Sequence, residues 1–99
     1  MLNINKESNG DSCVISLDGR LDTTTAPQLE NEVKGSLDGV KNLVMDFSNL
    51  EYISSAGLRV LLSVQKIMNK QGSMVIKNVS DEVNEIFEVT GFSDILIIQ

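Results

Sequence analysis

Two adjacent serines, Ser54 and Ser55, are the side chains of this 99-residue sequence best placed to carry chemistry. They follow the apolar run 43–47, which predicts a buried strand, and they precede a long helical pattern over residues 58–70. A junction of this kind exposes free backbone N–H groups and the positive end of a helix dipole. A hydroxyl at this place either caps the helix or carries a phosphate group at little electrostatic cost. Spacing alone leaves both interpretations of Ser55 open, whereas Ser54 is the better candidate for the cap.

Hydrolytic serine chemistry is disfavoured because the sequence contains no histidine. No Ser–His nucleophile pair can form, and the imidazole ligands of the usual zinc and iron sites are missing. The residues around the two serines do not form a Gly-x-Ser-x-Gly elbow, and no Gly-rich phosphate loop with Gly-Lys-Ser/Thr is present. We therefore expect no enzymatic activity, no cofactor and no metal centre, and a small enzyme or nucleotide-binding protein is a weak hypothesis.

Charge and composition narrow the possible partners. Fourteen acidic residues against eight basic ones give a formal charge of −6, which repels nucleic acid at long range. No apolar run approaches the roughly 18–20 residues of a membrane span, and the N-terminus lacks the apolar segment of a signal peptide. We expect a cytoplasmic protein without nucleic acid or a membrane span among its direct partners. The single Cys13 is expected to be buried and inert.

The elements that must position the serines follow the order β-β-α-β-α-β-α-β. Thr25 and Gln28 form a predicted capping box at the start of the first helix, and Ser80 is the expected cap of the third. The predicted strands lie at 2–4, 14–17, 43–47, 74–76 and 95–98, the last as a strand or strand-like tail. A turn is predicted at 9–11 and loops at 18–22, 48–55 and 77–80. Helices are predicted after residues 25 and 80 and over residues 58–70.

This order predicts a single α/β domain over residues 1–99, with a mixed, mostly parallel sheet flanked by helices. Residues 43–47 are expected to form a central strand covered on both faces. Because the carboxyl ends of parallel strands share one edge, Asp22, Asp46 and Ser55 are expected to lie near one another. Each aspartate is interpreted either as a loop-capping group or as a group that orients a partner or a phosphate.

A signature in the middle of the chain resembles that of STAS domains, the sulfate-transporter and anti-sigma-factor-antagonist family. Residues 19–22, Gly-Arg-Leu-Asp, are similar to the first loop of that family, and the element order agrees with its fold over essentially the whole chain. A free-standing domain of this length resembles the anti-sigma factor antagonist branch. The signature consists of Val44-Met45-Asp46-Phe47-Ser48-x-x-x-Tyr52-Ile53-Ser54-Ser55-Ala56-Gly57-Leu58-x-Val60-Leu61.

The resemblance implies a bacterial transcription regulator that works by partner switching. Its unphosphorylated form would bind an anti-sigma factor that is also a serine kinase and so free the sigma factor. Phosphorylation would end that binding, and a PP2C-type phosphatase would restore it. The resemblance places the phosphate on Ser55. Ser54 is the alternative acceptor, and it occupies the position where the family commonly has aspartate. The partner-binding residues it implies are Asp22, Asp46, Ser54, Ala56, Gly57 and Arg59.

Two alternatives stay open for the same sequence. A STAS domain can also be a non-phosphorylated accessory subunit, such as a component of a lipid-transport ABC complex, although the intact Ser55 favours the switch. Three cations of the second helix form a solvated face, a partner contact or ion pairs with acidic residues: Arg59, Lys66 and Lys70. The chain is expected to be a monomer or a weak dimer. Phe92 and the apolar tail at 95–98 are interpreted as core or as cover for a sheet edge, and an exposed tail would instead be a dimer contact.

Overall fold

The chain begins with a hairpin, because Gly10 takes a positive φ of 63° in the turn between two alternating segments. A computed structural model describes residues 2–99. Strands β1 (Leu2–Asn9) and β2 (Ser12–Leu21) form the hairpin. The remaining elements are α1 (Ala26–Lys34), β3 (Asn42–Ile53), α2 (Ser55–Gln71), β4 (Ser73–Lys77), α3 (Asp81–Thr90) and a short 3₁₀ turn at Phe92–Asp94.

The four strands form one sheet in the order β1-β2-β3-β4. The β1–β2 pair is antiparallel, whereas β2–β3 and β3–β4 are parallel and are connected through α1 and α2. Two successive right-handed crossovers in one direction place both helices on the same face of the sheet. Helix α3 packs on that face too, since the rings of Phe47 and Phe87 lie 6.4 Å apart. The predicted mixed α/β fold is confirmed.

The opposite face of the sheet carries no helix of residues 2–99. Along β3 the side chains of Leu43, Met45 and Phe47 are fully buried against the helices, and Val44 and Asp46 between them are only half-buried. Val14, which pairs with Val44 on the same open face, is 36% exposed. The prediction that residues 43–47 are covered on both faces is wrong, because both crossovers run in the same direction and leave one face free.

Strands β2 and β3 run further than predicted, through most of the residues assigned to loops at 18–22 and 48–55. Their parallel pairing continues to Leu21 and Ile53 past two register shifts, one between Ser16 and Asp18 and one between Gly19 and Arg20. Gly19 has φ of 118°, which residues with a side chain rarely adopt. The register shifts let polar residues that break the apolar alternation stay within the paired strand. The sequence pattern therefore predicts a loop, although the backbone remains paired there.

The predicted capping box at α1 does not form. Thr25 precedes the helix but its hydroxyl donates to the carbonyl oxygen of Arg20 at 2.8 Å, and it makes no cap bond to the helix. Gln28 instead donates from Nε2 to the carbonyl oxygen of Leu2, at 3.2 Å. Both side chains therefore connect α1 to the strands beneath it. Such tertiary hydrogen bonds cannot be predicted from the residue pattern at a helix end.

The chain ends as a strand-like tail rather than a full strand. The carbonyl of Ile97 accepts a hydrogen bond from the Ile76 backbone N–H, and the Gln99 N–H donates to the Ile76 carbonyl, both at 2.8 Å. A single parallel bridge between Ile76 and Ile98 results. Cys13 is buried, as predicted, at 1% exposure.

Candidate functional site

The junction between β3 and α2 is fixed to the end of β2. Leu21 and Ile53 are the last paired residues of the two strands, and the Ser54 backbone N–H donates to the Leu21 carbonyl oxygen at 2.8 Å. The Ser54 side chain accepts from the Gly57 N–H at 3.4 Å, and the Ser54 carbonyl accepts from the Leu58 N–H at 2.9 Å. Ser54 is therefore the N-cap of α2, as predicted.

Ser55 is the first residue of α2, and its side chain is exposed. Its hydroxyl makes no hydrogen bond to any of residues 2–99, so it is available to a partner or a modifying enzyme. The first turn of α2 carries no acidic residue, whereas the first turn of α3 has Asp81 and Glu82. The positive end of the α2 dipole thus has no acidic side chain in its own first turn, and an anion at Ser55 would be favoured there.

Gly57 sets how closely α2 approaches the strand ends. A Cβ atom at this position would lie 2.7 Å from Cγ of Leu21 and 2.9 Å from Cγ1 of Ile53, both of which are buried. Gly57 is itself buried, and Ala56 beside it is half-buried. Any contribution of Gly57 to a partner surface therefore acts through the position of the helix end, while Ala56 offers surface directly.

Asp22 lies next to this junction, since it directly follows Leu21, whose carbonyl oxygen accepts the hydrogen bond from the Ser54 backbone N–H. Its Oδ1 accepts from the backbone N–H groups of Thr24 at 3.0 Å and Thr25 at 3.1 Å, and from the Thr24 hydroxyl at 2.7 Å. The Thr24 hydroxyl, followed by these backbone bonds, holds the pKa of Asp22 below its ordinary value. Asp22 thus orders the loop before α1, and its second oxygen remains open.

Asp46 does not join the other two residues. Asp46 lies seven positions before Ile53 in β3, which corresponds to about 23 Å of extended strand at about 3.3 Å per residue. Its Oδ1 accepts from the Ser48 N–H at 3.0 Å and from Asn78 Nδ2 at 3.1 Å, and the Ser48 bond, followed by that to Asn78, lowers its pKa. The expectation that Asp22, Asp46 and Ser55 share one edge is wrong for Asp46, because β3 continues far beyond the end of β4.

Arg20 and Tyr52 form a pair that the sequence pattern did not reveal. They are register partners one position before the strand ends, and the guanidinium carbon of Arg20 lies 4.6 Å from the centre of the Tyr52 ring. Side chains alternate along a strand, so this pair faces away from the buried Leu21 and Ile53. The sequence could not predict that Arg20 and Tyr52 face each other, because their pairing depends on the register shift at Gly19.

A shallow groove of about 230 Å³ lies between the N-terminal halves of α1 and α2, and Ala56, the residue after Ser55, is part of its lining. Arg59 is exposed, and it makes no ion pair with any carboxylate of residues 2–99. Glu30 on the other wall lies 3.8 Å from Lys34, between Oε2 and Nζ. The groove combines a small apolar floor with one free cation, and its lining consists of Thr23, Ala26, Pro27, Glu30, Ala56, Arg59 and Val60.

Other site types are not formed by the described part of the chain. Within residues 2–99, no group of three or more histidine, cysteine, aspartate or glutamate side chains is arranged so that it could hold a metal ion. None of the helices in that range has both the length and the apolar character needed to cross a membrane. The site is therefore described by an exposed helix-terminal serine, an ordered aspartate loop and a shallow groove.

The family model of the STAS domain matches residues 3–99, and the chain belongs to the STAS domain family. Among its relatives is BtrV of Bordetella bronchiseptica, which is classed by name with the anti-sigma factor antagonists. The two are 40% identical over 84 residues, which cover 83% of this chain and 72% of BtrV.

Solved structures of anti-sigma factor antagonists share the fold. One from Mycobacterium paratuberculosis superposes with a TM-score of 0.89 at 23% identity, covering 99% of this chain and 85% of that one. SpoIIAA, a Bacillus cell fate determinant, superposes at 19% identity in two states. The unphosphorylated form gives a TM-score of 0.77, with 98% and 87% of the two chains covered. The phosphorylated form gives 0.76, with 98% and 91% covered.

Proposed function

We propose that this protein is an anti-sigma factor antagonist whose binding is switched off by phosphorylation of Ser55. The unphosphorylated form binds an anti-sigma factor that is also a serine kinase and thereby frees a sigma factor in the cytoplasm. The kinase transfers the γ-phosphoryl group of ATP to the Ser55 oxygen, and a PP2C-type phosphatase removes it. The observation that carries the proposal is the exposed, unbonded Ser55 hydroxyl beside the capped and anchored Ser54.

The electrostatics of the junction support a switch that leaves the fold intact. A phosphate adds about −1.5 to −2 charges at neutral pH. The uncompensated N-terminus of α2 accommodates that charge within the protein, since its first turn has no acidic residue. A partner surface packed against Ala56 would instead have to desolvate the phosphate, which is costly without a matching cation. Release of the partner is therefore the expected consequence.

The comparison with SpoIIAA supports the same view. The chain superposes equally well on the unphosphorylated and the phosphorylated forms of that protein, with TM-scores of 0.77 and 0.76. The fold that both proteins share is thus compatible with a phosphorylated as well as an unphosphorylated chain. A local change of charge is sufficient, and the helices and the sheet need not move.

Mass analysis of the native protein and binding measurements on variants test the proposal. Peptides from cells grown under different conditions are expected to carry a condition-dependent phosphate on Ser55. Against the purified anti-sigma kinase, Ser55→Ala is expected to bind without being switched off. Ser55→Asp is expected to bind at least about tenfold more weakly, corresponding to the 1–2 kcal/mol cost of an unmatched buried charge. Ser93→Asp, at an exposed serine outside the junction, adds the same charge and is expected to bind normally.

Three results would contradict the proposal in different ways. Loss of binding by Ser55→Ala would make Ser55 a contact residue rather than a switch. A phosphate on Ser54 alone would move the acceptor by one residue, onto the N-cap of α2. The absence of phosphate under every condition would favour a non-phosphorylated accessory subunit.

A further inference from the structure

We propose that Arg59 captures the phosphate on Ser55 within helix α2, so that phosphorylation also withdraws this cation from the groove between α1 and α2. The inference rests on the proposed function, since it concerns the modified state of the same serine. It concerns a positioning residue: Arg59 accepts no phosphoryl group and takes part in no covalent step. Its role is to hold the phosphate after transfer.

The spacing of the two residues carries the first part of the inference. Ser55 and Arg59 are the first and fifth residues of α2 and therefore lie on the same side of it, about 40° apart at 100° per residue. Side chains at i and i+4 on a helix are neighbours, and an anion on the N-terminal side of a cation is the more favourable order. The guanidinium group binds phosphate oxygens through two parallel N–H bonds, which lysine cannot match.

The free state of Arg59 carries the second part. Its guanidinium forms neither an ion pair nor a hydrogen bond with residues 2–99, although it lines the same groove as Glu30. Glu30 has Lys34 as its neighbour at 3.8 Å. The other cations of α2, Lys66 and Lys70, lie eleven and fifteen residues after Ser55, or about 16 Å and 22 Å along the helix axis. Arg59 is thus the α2 cation within direct reach of a phosphate on Ser55.

Capture would change the surface on both sides of the helix end. Without phosphate, Arg59 presents a free cation at the edge of a groove with Ala56 and Val60 on its floor. With phosphate, the same cation is bound to an anion on its own helix, and the groove loses the positive charge that an acidic side chain of a partner would pair with. The switch then combines an added negative charge with a removed positive one.

A titration of the phosphate tests the inference without any partner. Phosphoserine is incorporated at position 55 of the full chain by genetic code expansion, and its second pKa is followed by ³¹P NMR at 0.1 M salt. The pKa is expected to lie below the value near 6 that is typical of phosphoserine. Arg59→Gln is expected to raise it by about 0.3 pH unit or more, the scale of an i,i+4 ion pair. In Arg59→Lys, the phosphate pKa is expected to lie between that of the native phosphoprotein and that of Arg59→Gln.

Lys66→Gln is the matched control, because it removes the same charge from an exposed position of the same helix. It is expected to shift the phosphate pKa by less than about 0.1 unit, since it lies beyond a Debye length at this salt concentration. Equal shifts of the phosphate pKa in Arg59→Gln and Lys66→Gln would show that only the overall charge of the protein matters, and this would overturn the inference. No shift in Arg59→Gln, with the fold confirmed by circular dichroism, would overturn it as well.

The failure of this inference is distinguishable from the failure of the proposed function. The titration uses a phosphate introduced during synthesis, so its result does not depend on whether a kinase modifies the chain in cells. A protein that is never phosphorylated in cells can still show capture, and a regulated protein can show none.

Discussion

Two neighbouring hydroxyls at the start of α2 have different roles because one of them faces its own helix. Ser54 is held by its backbone bond to Leu21 and caps Gly57, whereas Ser55 is exposed and unbonded. The sequence predicted Ser54 as the cap, since cap preference is a local property, but its spacing left open whether Ser55 also caps the helix. It could not predict that Asp46 lies apart from Asp22, because that distance depends on how far two strands stay paired.

Gln65 is a residue that sequence analysis passed over. It is buried at 4% exposure in α2, and its Oε1 has no hydrogen-bond partner within residues 2–99. Its Nε2 donates to Oδ1 of Asn69 at 2.8 Å. A buried acceptor without a partner costs about 1–3 kcal/mol of stability.

Replacing Gln65 is therefore expected to stabilise the protein. Gln65→Met keeps the length of the side chain and removes the unpaired oxygen, and we expect the free energy of unfolding to rise by about 1 kcal/mol. Gln71→Met is the opposite control on the same helix, because Gln71 donates to the carbonyls of Leu37 and Val40. Its loss is expected to destabilise by about 1–2 kcal/mol. Urea unfolding of both variants measures the difference, and equal signs would contradict this account.

Among the elements, the strands were predicted less well than the helices. The start of α2 follows from Ser54 and the end of α3 from Gly91, both of which are local signals. The extension of β3 from residue 47 to Ile53 depends on its partner β2 and on the irregular register around Gly19. One-sided helix packing was also missed, because apolar residues at 43–47 look alike whether one face or both are covered.

At the turn between α2 and β4, the backbone of Gly72 closely approaches the backbone of Lys41. A Cβ atom on Gly72 would lie 1.9 Å from the carbonyl oxygen of Lys41, whose position is fixed by a 2.8 Å bond from the Ser73 N–H. Because backbone cannot yield as a side chain can, Gly72→Ala is expected to cost about 2–3 kcal/mol.

Thermal unfolding checks this cost. Gly35→Ala is the control, since Gly35 has helical φ and ψ at the end of α1. It is expected to stay within about 1 kcal/mol of the native protein. A Gly72→Ala protein as stable as this control would show that the close approach to Lys41 is not required.

The molecule as a whole carries a charge of −6, and some of its carboxylates are held in the charged form. Hydrogen bonds from Ser48 and Asn78 lower the pKa of Asp46 from its ordinary 3.8. The folded state therefore binds this proton less readily than the unfolded state. The stability that Asp46 contributes is complete above pH 3.8 and is lost as the pH falls through the lower, folded value.

Asp46→Asn is accordingly expected to be less stable than the native protein at pH 7 and to approach it in acid. The difference at pH 7 is expected to stay below about 1 kcal/mol, because the half-buried carboxylate keeps contact with solvent. Urea midpoints measured between pH 7 and pH 2.5 test this convergence. Asp38→Asn, at an exposed position, controls for the change in net charge. A constant gap between the Asp46 variant and the native protein would contradict the linkage.

Leu2 and Gln99 lie at different edges of the sheet. Leu2 pairs with Gly19, one position before Arg20 and close to the end of β2, and α1 holds it there through Gln28. Gln99 bonds to Ile76 at the opposite edge. A fluorescent or affinity tag fused ahead of Leu2 would thus stand beside the serine junction and obstruct whatever docks on it. The same tag fused after Gln99 would leave that corner clear, so a reporter of partner binding belongs at the C-terminal end.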